Sequence, residues 1–399
     1  MTPTSLLAEL STLQELTCAL VAGVRDQEVR RPYPPDFAPL GWYLGHCVYA
    51  ESYWLRGEVM GDCRFSPTVT NLFTPGLTPL ADCGLALPER DELLEWARGL
   101  QEQALTLLAN PRQLPTHHPL LAENFLLHHL VVQYALAYEN MLQVLAQGHL
   151  LSDTTNFIVN HPLVSQLPTV SRYREVSRGH YRIGAREGWA EDQELPPQIV
   201  ELSAFRIAIT PVSNGEYLAF MEAGGYQDSR WWDEAGSAWL AGKSAPHTWR
   251  QNQQGQWYGL GLSGPYELAE NDPVTGVSRY EAGAYAAWAA SLEGTEGAVL
   301  AHEYQWEVAH RLGYLETGRA WEWSSQPFHL YTGYQSRLTG AQLASPEDSE
   351  SCYTLRGGSL HSRPYLRRAS FRHWERPEAR HRLTGLRLVL PPGQSFEVP

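Results

Sequence analysis

Lysine is almost missing from this chain. Of its 30 basic residues only Lys243 is a lysine, against 44 acidic residues and a formal net charge of −14. Basic excess is absent, which argues against partners held by phosphate or anionic-lipid charge, so neither nucleic acid nor a membrane is expected. An arginine-favouring codon bias accounts for the scarcity of lysine; planar recognition of carboxylates by arginine bears on single sites only. Cysteine is scarce too. Five are scattered at positions 18, 47, 63, 83 and 352, with no CxxC and no paired framework. An odd count in a long chain suits a reducing cytoplasm, and a cytoplasmic protein is expected. No apolar run reaches bilayer-spanning length. The start, MTPTSLLAEL, has no basic n-region and carries Glu9 in its first apolar run, so it does not read as a signal peptide. Repeats and low-complexity stretches are also lacking.

What is present is core-forming material: 43% hydrophobic residues, 11% aromatic and 14 Trp in 399 residues. That length suggests two or three domains with a large buried core. The first 150 residues read as helical. Leu6, Leu7, Leu10, Leu13 and Leu16 recur at helical spacing within 4–24, with Thr4 as the expected cap. Further helices are expected over about 39–57, opened by Pro39, over 88–109 with acidic residues in its first turn, and over 122–147, closed by Gly148. Four such helices predict a bundle over 1–150, with long connections at 58–87 and 110–121. Residues 151–175 hold no period and read as a linker. From 176 to 399 glycine and aromatic residues rise, and short strands alternate with helical islands at 213–223 and 280–291, which predicts an α+β domain.

Six motifs in the second half come in a telling order: FRIAITPVSNGEYLAFMEAGGY (205–226), DPVTGVSRYEAGAYAAWAA (272–290), LAHEYQWEVA (300–309), GRAWEWSSQPF (318–328), LRGGS (355–359) and RLTGLRLVL (382–390). Together they resemble the formylglycine-generating-enzyme, or sulfatase-modifying-factor, family, whose fold is C-type-lectin-like. Most of the shared positions, such as Asn214, Trp306, Trp321 and Gly357, read as core and turn residues. Formylglycine generation uses a late pair of reactive cysteines, and only Cys352 lies in this half, so that chemistry is excluded.

In the first half, PLGWYLGHCVYAESYWLRG (39–57) resembles the first metal-ligand helix of DinB-like bundles. A DinB-like bundle fused to a lectin-like domain is the architecture of the sulfoxide synthases of ergothioneine biosynthesis, with ovothiol and selenoneine branches. The resemblance covers nearly the whole chain. It implies a non-haem Fe(II) centre that uses O₂ to join a sulfur or selenium donor to a histidine-derived imidazole. The expected small-molecule partners are a histidine betaine, a thiol or a selenosugar. The resemblance also places the site between bundle and lectin-like domain.

Carried over residue by residue, that resemblance is uneven. His46 in GWYLGH keeps the family's first iron ligand. The other two belong to a pattern like HExxHQETL, which here reads QYALAYENML: Glu139 is kept, while Gln133 and Ala137 stand where two histidines are expected. The stretch NLFTPGL (71–77) departs from the family's LFNSYY. A tyrosine-bearing segment like SPYxxYPGF reads QPFHLYTGY, so Phe328 replaces one Tyr and Tyr331 keeps the other as the candidate catalytic tyrosine.

The chemistry explains why the spacing matters. Residues i and i+4 share a helix face, and two imidazoles there plus one from a facing helix hold one side of an octahedral iron. Alanine offers no donor and glutamine only a neutral amide oxygen. A displaced site of His46, His129 and Glu51 is the alternative ligand set, against the plainer reading of His128 and His129 as half-buried or surface histidines. The histidine pairs 117–118 and 373 with 381 fall in loops or strands. Near the C-terminus Arg367, Arg368, Arg372, Arg376, Arg380 and Arg382 crowd together. Arg372 and Arg376 are the candidate ligand contacts, clamping a carboxylate or phosphate; the other reading pairs the cluster with Glu375 and Glu378. A diverged synthase relative that binds a small polar ligand is expected first, with an active enzyme of rearranged ligands and a non-catalytic scaffold as alternatives.

Overall fold

The computed structural model describes residues 2–33, 35–62, 65–152, 154–169, 172–186, 190–338 and 351–392. Two compact units divide the chain. One runs to Gly148 and takes in Ala185–Pro196 and the chain from Gly333; the other holds His149–Gly184, Pro197–Thr332 and the described residues from 351 on.

The first unit is the expected helical bundle. Helix α1 (Pro3–Ala22) buries Leu6, Leu10, Leu13, Thr17 and Val21, the stripe that a 3.6-residue period requires. Its cap is Thr2, whose side chain accepts from the Ser5 N–H, and not Thr4, because Pro3 sets the first helical residue. Helix α2 (Leu40–Ser52) is buried along almost its whole length. It runs on as a π-helix, Tyr53–Val59, in which Trp54, Leu55 and Val59 are all buried. Helix α3 (Arg90–Ala109) starts with Asp91 and Glu92, favourably placed on the helix dipole. Helix α4 (Phe125–Leu150) begins three residues later than the pattern suggests, because Glu123 and Asn124 sit at positive φ and cannot continue a right-handed helix into it.

The second unit is the expected lectin-like α+β domain. In one sheet Tyr173–Val176 pairs antiparallel with Phe205–Ala208, which pairs with Leu388–Leu390, itself antiparallel to Val299–Leu300. In another, Trp321–Pro327 lies between antiparallel Tyr353–Arg356 and parallel Thr384–Leu386. Phe205, Ile207, Trp306, Val308 and Val389 form part of its core. Buried charges are paired: Glu322 accepts from Trp306 Nε1 at 2.8 Å and takes both Arg387 Nε and Nη2, at 2.6 and 2.7 Å.

The division differs from the sequence expectation at two places. Residues 151–175 are no free linker but belong to the second unit. Thr154 shares a hydrogen bond with Tyr258, Phe157 packs on the same ring, and Glu267 accepts from Asn160 N–H and meets His161. Conversely, Ala185–Pro196 belongs to the first unit, although its sequence neighbours on both sides are strands of the second. Among the described residues no helix is long and apolar enough to cross a membrane.

Candidate functional site

His46 sits two turns into α2. Its Nδ1 lies 2.8 Å from the Phe73 carbonyl oxygen, and its ring stacks on Trp42 with centroids 4.8 Å apart and planes 5° from parallel. Trp42 is fixed in turn, its Nε1 donating to Leu72 O at 2.7 Å. Both carbonyls come from the short helix Pro67–Phe73. That helix approaches α2 so closely that a Cβ on Gly45 would lie 2.1 Å from the Phe73 ring. The sequence thus needs glycine at 45 to bring the Phe73 carbonyl to His46. Burial pushes the His46 pKa down and favours the neutral ring, partly offset by the bond to Phe73.

Five residues on, Glu51 is fully buried in a hydrogen-bonded network that links all four helices. Gln14 Nε2 from α1 donates to its Oε1 at 2.7 Å, and Tyr134 from α4 donates to its Oε2 at 2.9 Å. Gln101 from α3 donates to Tyr134 and accepts from the Cys18 thiol, both at 3.3 Å. Burial pushes the Glu51 carboxyl up to about 8, although Tyr134 and Gln14 pull the other way. Burial thus favours the neutral acid over the carboxylate, and both oxygens are already engaged.

Along α4, His129, Gln133 and Ala137 follow at four-residue steps on one face. Ala137 is buried and Gln133 half-buried. His129 is buried, and its Nδ1 meets Glu191 Oε2 at 2.8 Å. His128 Nδ1 stands 3.4 Å from the other carboxylate oxygen, an ion-pair contact longer than a good hydrogen bond. Burial alone would raise the Glu191 carboxyl, but the two histidines outweigh it and hold it far below the usual range. Next to it Asp192 takes the backbone N–H and the guanidinium of Arg337, which lies over the Phe125 ring. These contacts are what bind Ala185–Pro196 into the first unit. The displaced ligand set is not assembled: Glu51 serves the bundle network and His129 serves Glu191. Among the described residues no group of three or more His, Cys, Asp or Glu comes together to hold a metal. His128 and His129 are also not surface groups; both are buried.

In the second unit Tyr331 is part of the hydrophobic core, its hydroxyl buried without a hydrogen-bond partner among the described residues, and burial pushes its pKa up. Arg372 lies 4.2 Å from the centroid of that ring and is fully buried. Its Nε and Nη2 each reach a Glu303 oxygen at 2.8 Å, and Nη2 also donates to His329 O. The bidentate clamp expected for a ligand carboxylate is filled by Glu303 of the same chain. Arg376 is half-exposed, 3.7 Å from Glu378, and Arg382 meets Glu375 at 2.9 Å, so the local-pairing reading describes these two. Sequence reasoning missed Glu191, Tyr134 and Gln14.

Residues 167–326 and 316–391 match the sulfatase-modifying factor enzyme 1-like domain, and residues 9–142 match the DinB superfamily. Two relatives carry the name hercynine oxygenase. The one from Mycolicibacterium thermoresistibile is 28% identical over 424 residues, covering 91% of this chain and 90% of its own length. The one from Mycobacterium tuberculosis is 27% identical over 452 residues, covering 97% and 99%.

Proposed function

Because the chain belongs to the sulfatase-modifying factor enzyme 1-like family, joined to a DinB-superfamily bundle, we propose that it binds a histidine betaine of the hercynine type and does so without the three-imidazole iron centre of the sulfoxide synthases. The relatives' name supplies the ligand class. The donor set carries the second half of the reading. Of the three imidazoles only His46 is present, α4 offers a half-buried amide and a methyl at Gln133 and Ala137, and Glu51 is already hydrogen-bonded on both oxygens, its carboxyl pushed up by burial. Fe(II) does not fit such a set, because one neutral nitrogen and one amide oxygen hold it poorly in water. No step is therefore routed through iron. The bundle has a hydrogen-bonded core, Gln14–Glu51–Tyr134–Gln101, that links its four helices.

Metal analysis after anaerobic loading with Fe(II), followed by thermal shift with hercynine, thiols and selenosugars, tests this reading. Sub-stoichiometric iron with stabilisation by hercynine is the expected result. Stoichiometric iron that disappears in His46→Ala would sink it.

One observation favours a second reading, an active O₂-dependent enzyme that joins carbon to sulfur or selenium with rearranged ligands. His46 turns Nδ1 to a backbone carbonyl, the pose of histidines that ligate through Nε2. Turnover of hercynine with a thiol or selenosugar under O₂, dependent on added Fe(II), would select it.

A further inference from the structure

We propose that His46 is the acceptor for an azole N–H, so that the imidazole ring of the ligand donates its hydrogen bond to Nε2 of His46. This rests on the reading above that the site takes a histidine-derived ligand and lacks iron.

The proton inventory comes first. A carbonyl oxygen only accepts, so the 2.8 Å contact between Nδ1 and Phe73 O places the ring proton on Nδ1. Nε2 is left with a bare lone pair. The ring cannot turn away easily. It stacks on Trp42, whose own N–H is tied to Leu72 O, and the two anchoring carbonyls are adjacent in one short helix. No hydrogen bond reaches Nε2 among the described residues, yet the side chain is only half-buried and Nε2 is not sealed from solvent. A fixed, half-buried acceptor with no protein partner among the described residues is open to a donor from outside the chain.

Two kinds of partner use such a lone pair, a metal ion or an N–H or O–H donor. A metal needs further ligands, and no cluster of three or more His, Cys, Asp or Glu is gathered among the described residues. A donor needs only one. In a histidine betaine the quaternary nitrogen has no hydrogen and the carboxylate only accepts, so the azole N–H is the group that can donate. The rigid His46 ring would thus select for an azole and against its N-methylated form.

The test is nitrogen-15 NMR of the histidine rings in chelator-treated protein, titrated with imidazole and then with hercynine. Two variants accompany it. His46→Asn keeps an amide N–H for Phe73 O but removes the acceptor at the Nε2 position, and its spectrum also assigns the His46 signals among the 15 histidines. Expected is a free-state His46 with a protonated Nδ1 and a bare Nε2. Imidazole should shift Nε2 saturably toward the hydrogen-bonded range, and His46→Asn should weaken azole binding at least about tenfold, which is ~1.4 kcal/mol. His46→Gln, whose side-chain oxygen reaches the Nε2 position, should recover part of it. Hercynine binding equally well to wild type and His46→Asn would overturn this assignment while leaving the proposed function standing. Azole-induced shifts at Nε2 without any hercynine binding would support the assignment and sink the proposed function instead. A protonated Nε2 in the free protein, no response to either probe, or Fe(II) occupying Nε2 would each overturn it.

Discussion

Single residues decide the chemistry here, and Glu51 is the clearest case. Its carboxyl is raised by burial to about 8 from an ordinary value near 4.5. The folded state therefore binds a proton that the unfolded chain releases. That contribution to stability is fully present below about pH 4.5 and is lost as the pH rises to about 8. Glu51→Gln keeps a neutral side chain of the same size, so its stability relative to wild type should grow across that window. Chemical denaturation at pH 5 and pH 8.5 checks this, and parallel curves for the two proteins would contradict it. Glu191 works in the opposite sense. Its pKa is depressed, so its contribution is present at neutral pH and is lost as the medium is acidified below the ordinary carboxylate range. Arg372 belongs to the same scale. Arg372→Ala removes the bidentate partner of buried Glu303 and leaves it only the more distant Arg356, whose Nε is 3.9 Å away, with an expected loss of about 3 kcal/mol, whereas Arg376→Ala at the surface should change stability by less than about 0.5 kcal/mol. Equal, small losses in urea melts would restore Arg372 as a ligand contact. His46 was legible in the sequence because its surrounding motif is short and local. The arginine cluster misled, because the partner of Arg372 is Glu303, 69 residues away, and no spacing rule reports such a pair.

Elements were read more successfully than their ends. The four helices of the bundle follow from leucine periodicity, and α4 appears within three residues of its expected start. Caps depend on single backbone angles, and so Thr2 and the positive-φ pair before α4 escaped notice. The π-helix beyond Ser52 was also invisible, since no residue type marks it. What α4 carries gives the next prediction. Gln133→His with Ala137→His restores two imidazoles at i and i+4 on the face that follows His129. If α4 and α2 keep the family's spacing, iron uptake should rise from sub-stoichiometric to about one equivalent, in the manner of three-histidine sites. Anaerobic metal analysis of the double variant is the check, and unchanged uptake would show that the helices no longer face each other as such a centre needs. Tyr134→Phe tests the network around Glu51. It removes the donor to Glu51 Oε2 and an acceptor for Gln101 while keeping the ring, so a loss of about 1–3 kcal/mol is expected.

At the scale of the whole molecule, the order bundle then α+β domain was readable because two different periods occupy the two halves. The exchange of segments was not. Ala185–Pro196 looks like a loop between strands, yet its carboxylates face His128, His129 and Arg337 and its Ala190 carbonyl accepts from Arg337, contacts that bind it into the helical unit. The family is conveyed by the two domain matches, at residues 9–142 and at 167–326 with 316–391. The central claim is that this chain binds a hercynine-type ligand without iron. Calorimetric titration of hercynine into chelator-treated protein, repeated anaerobically with Fe(II), tests it most directly. Saturable binding of equal affinity with and without Fe(II) is the expected result. Binding that appears only with Fe(II), together with one tightly held iron per chain, would contradict it.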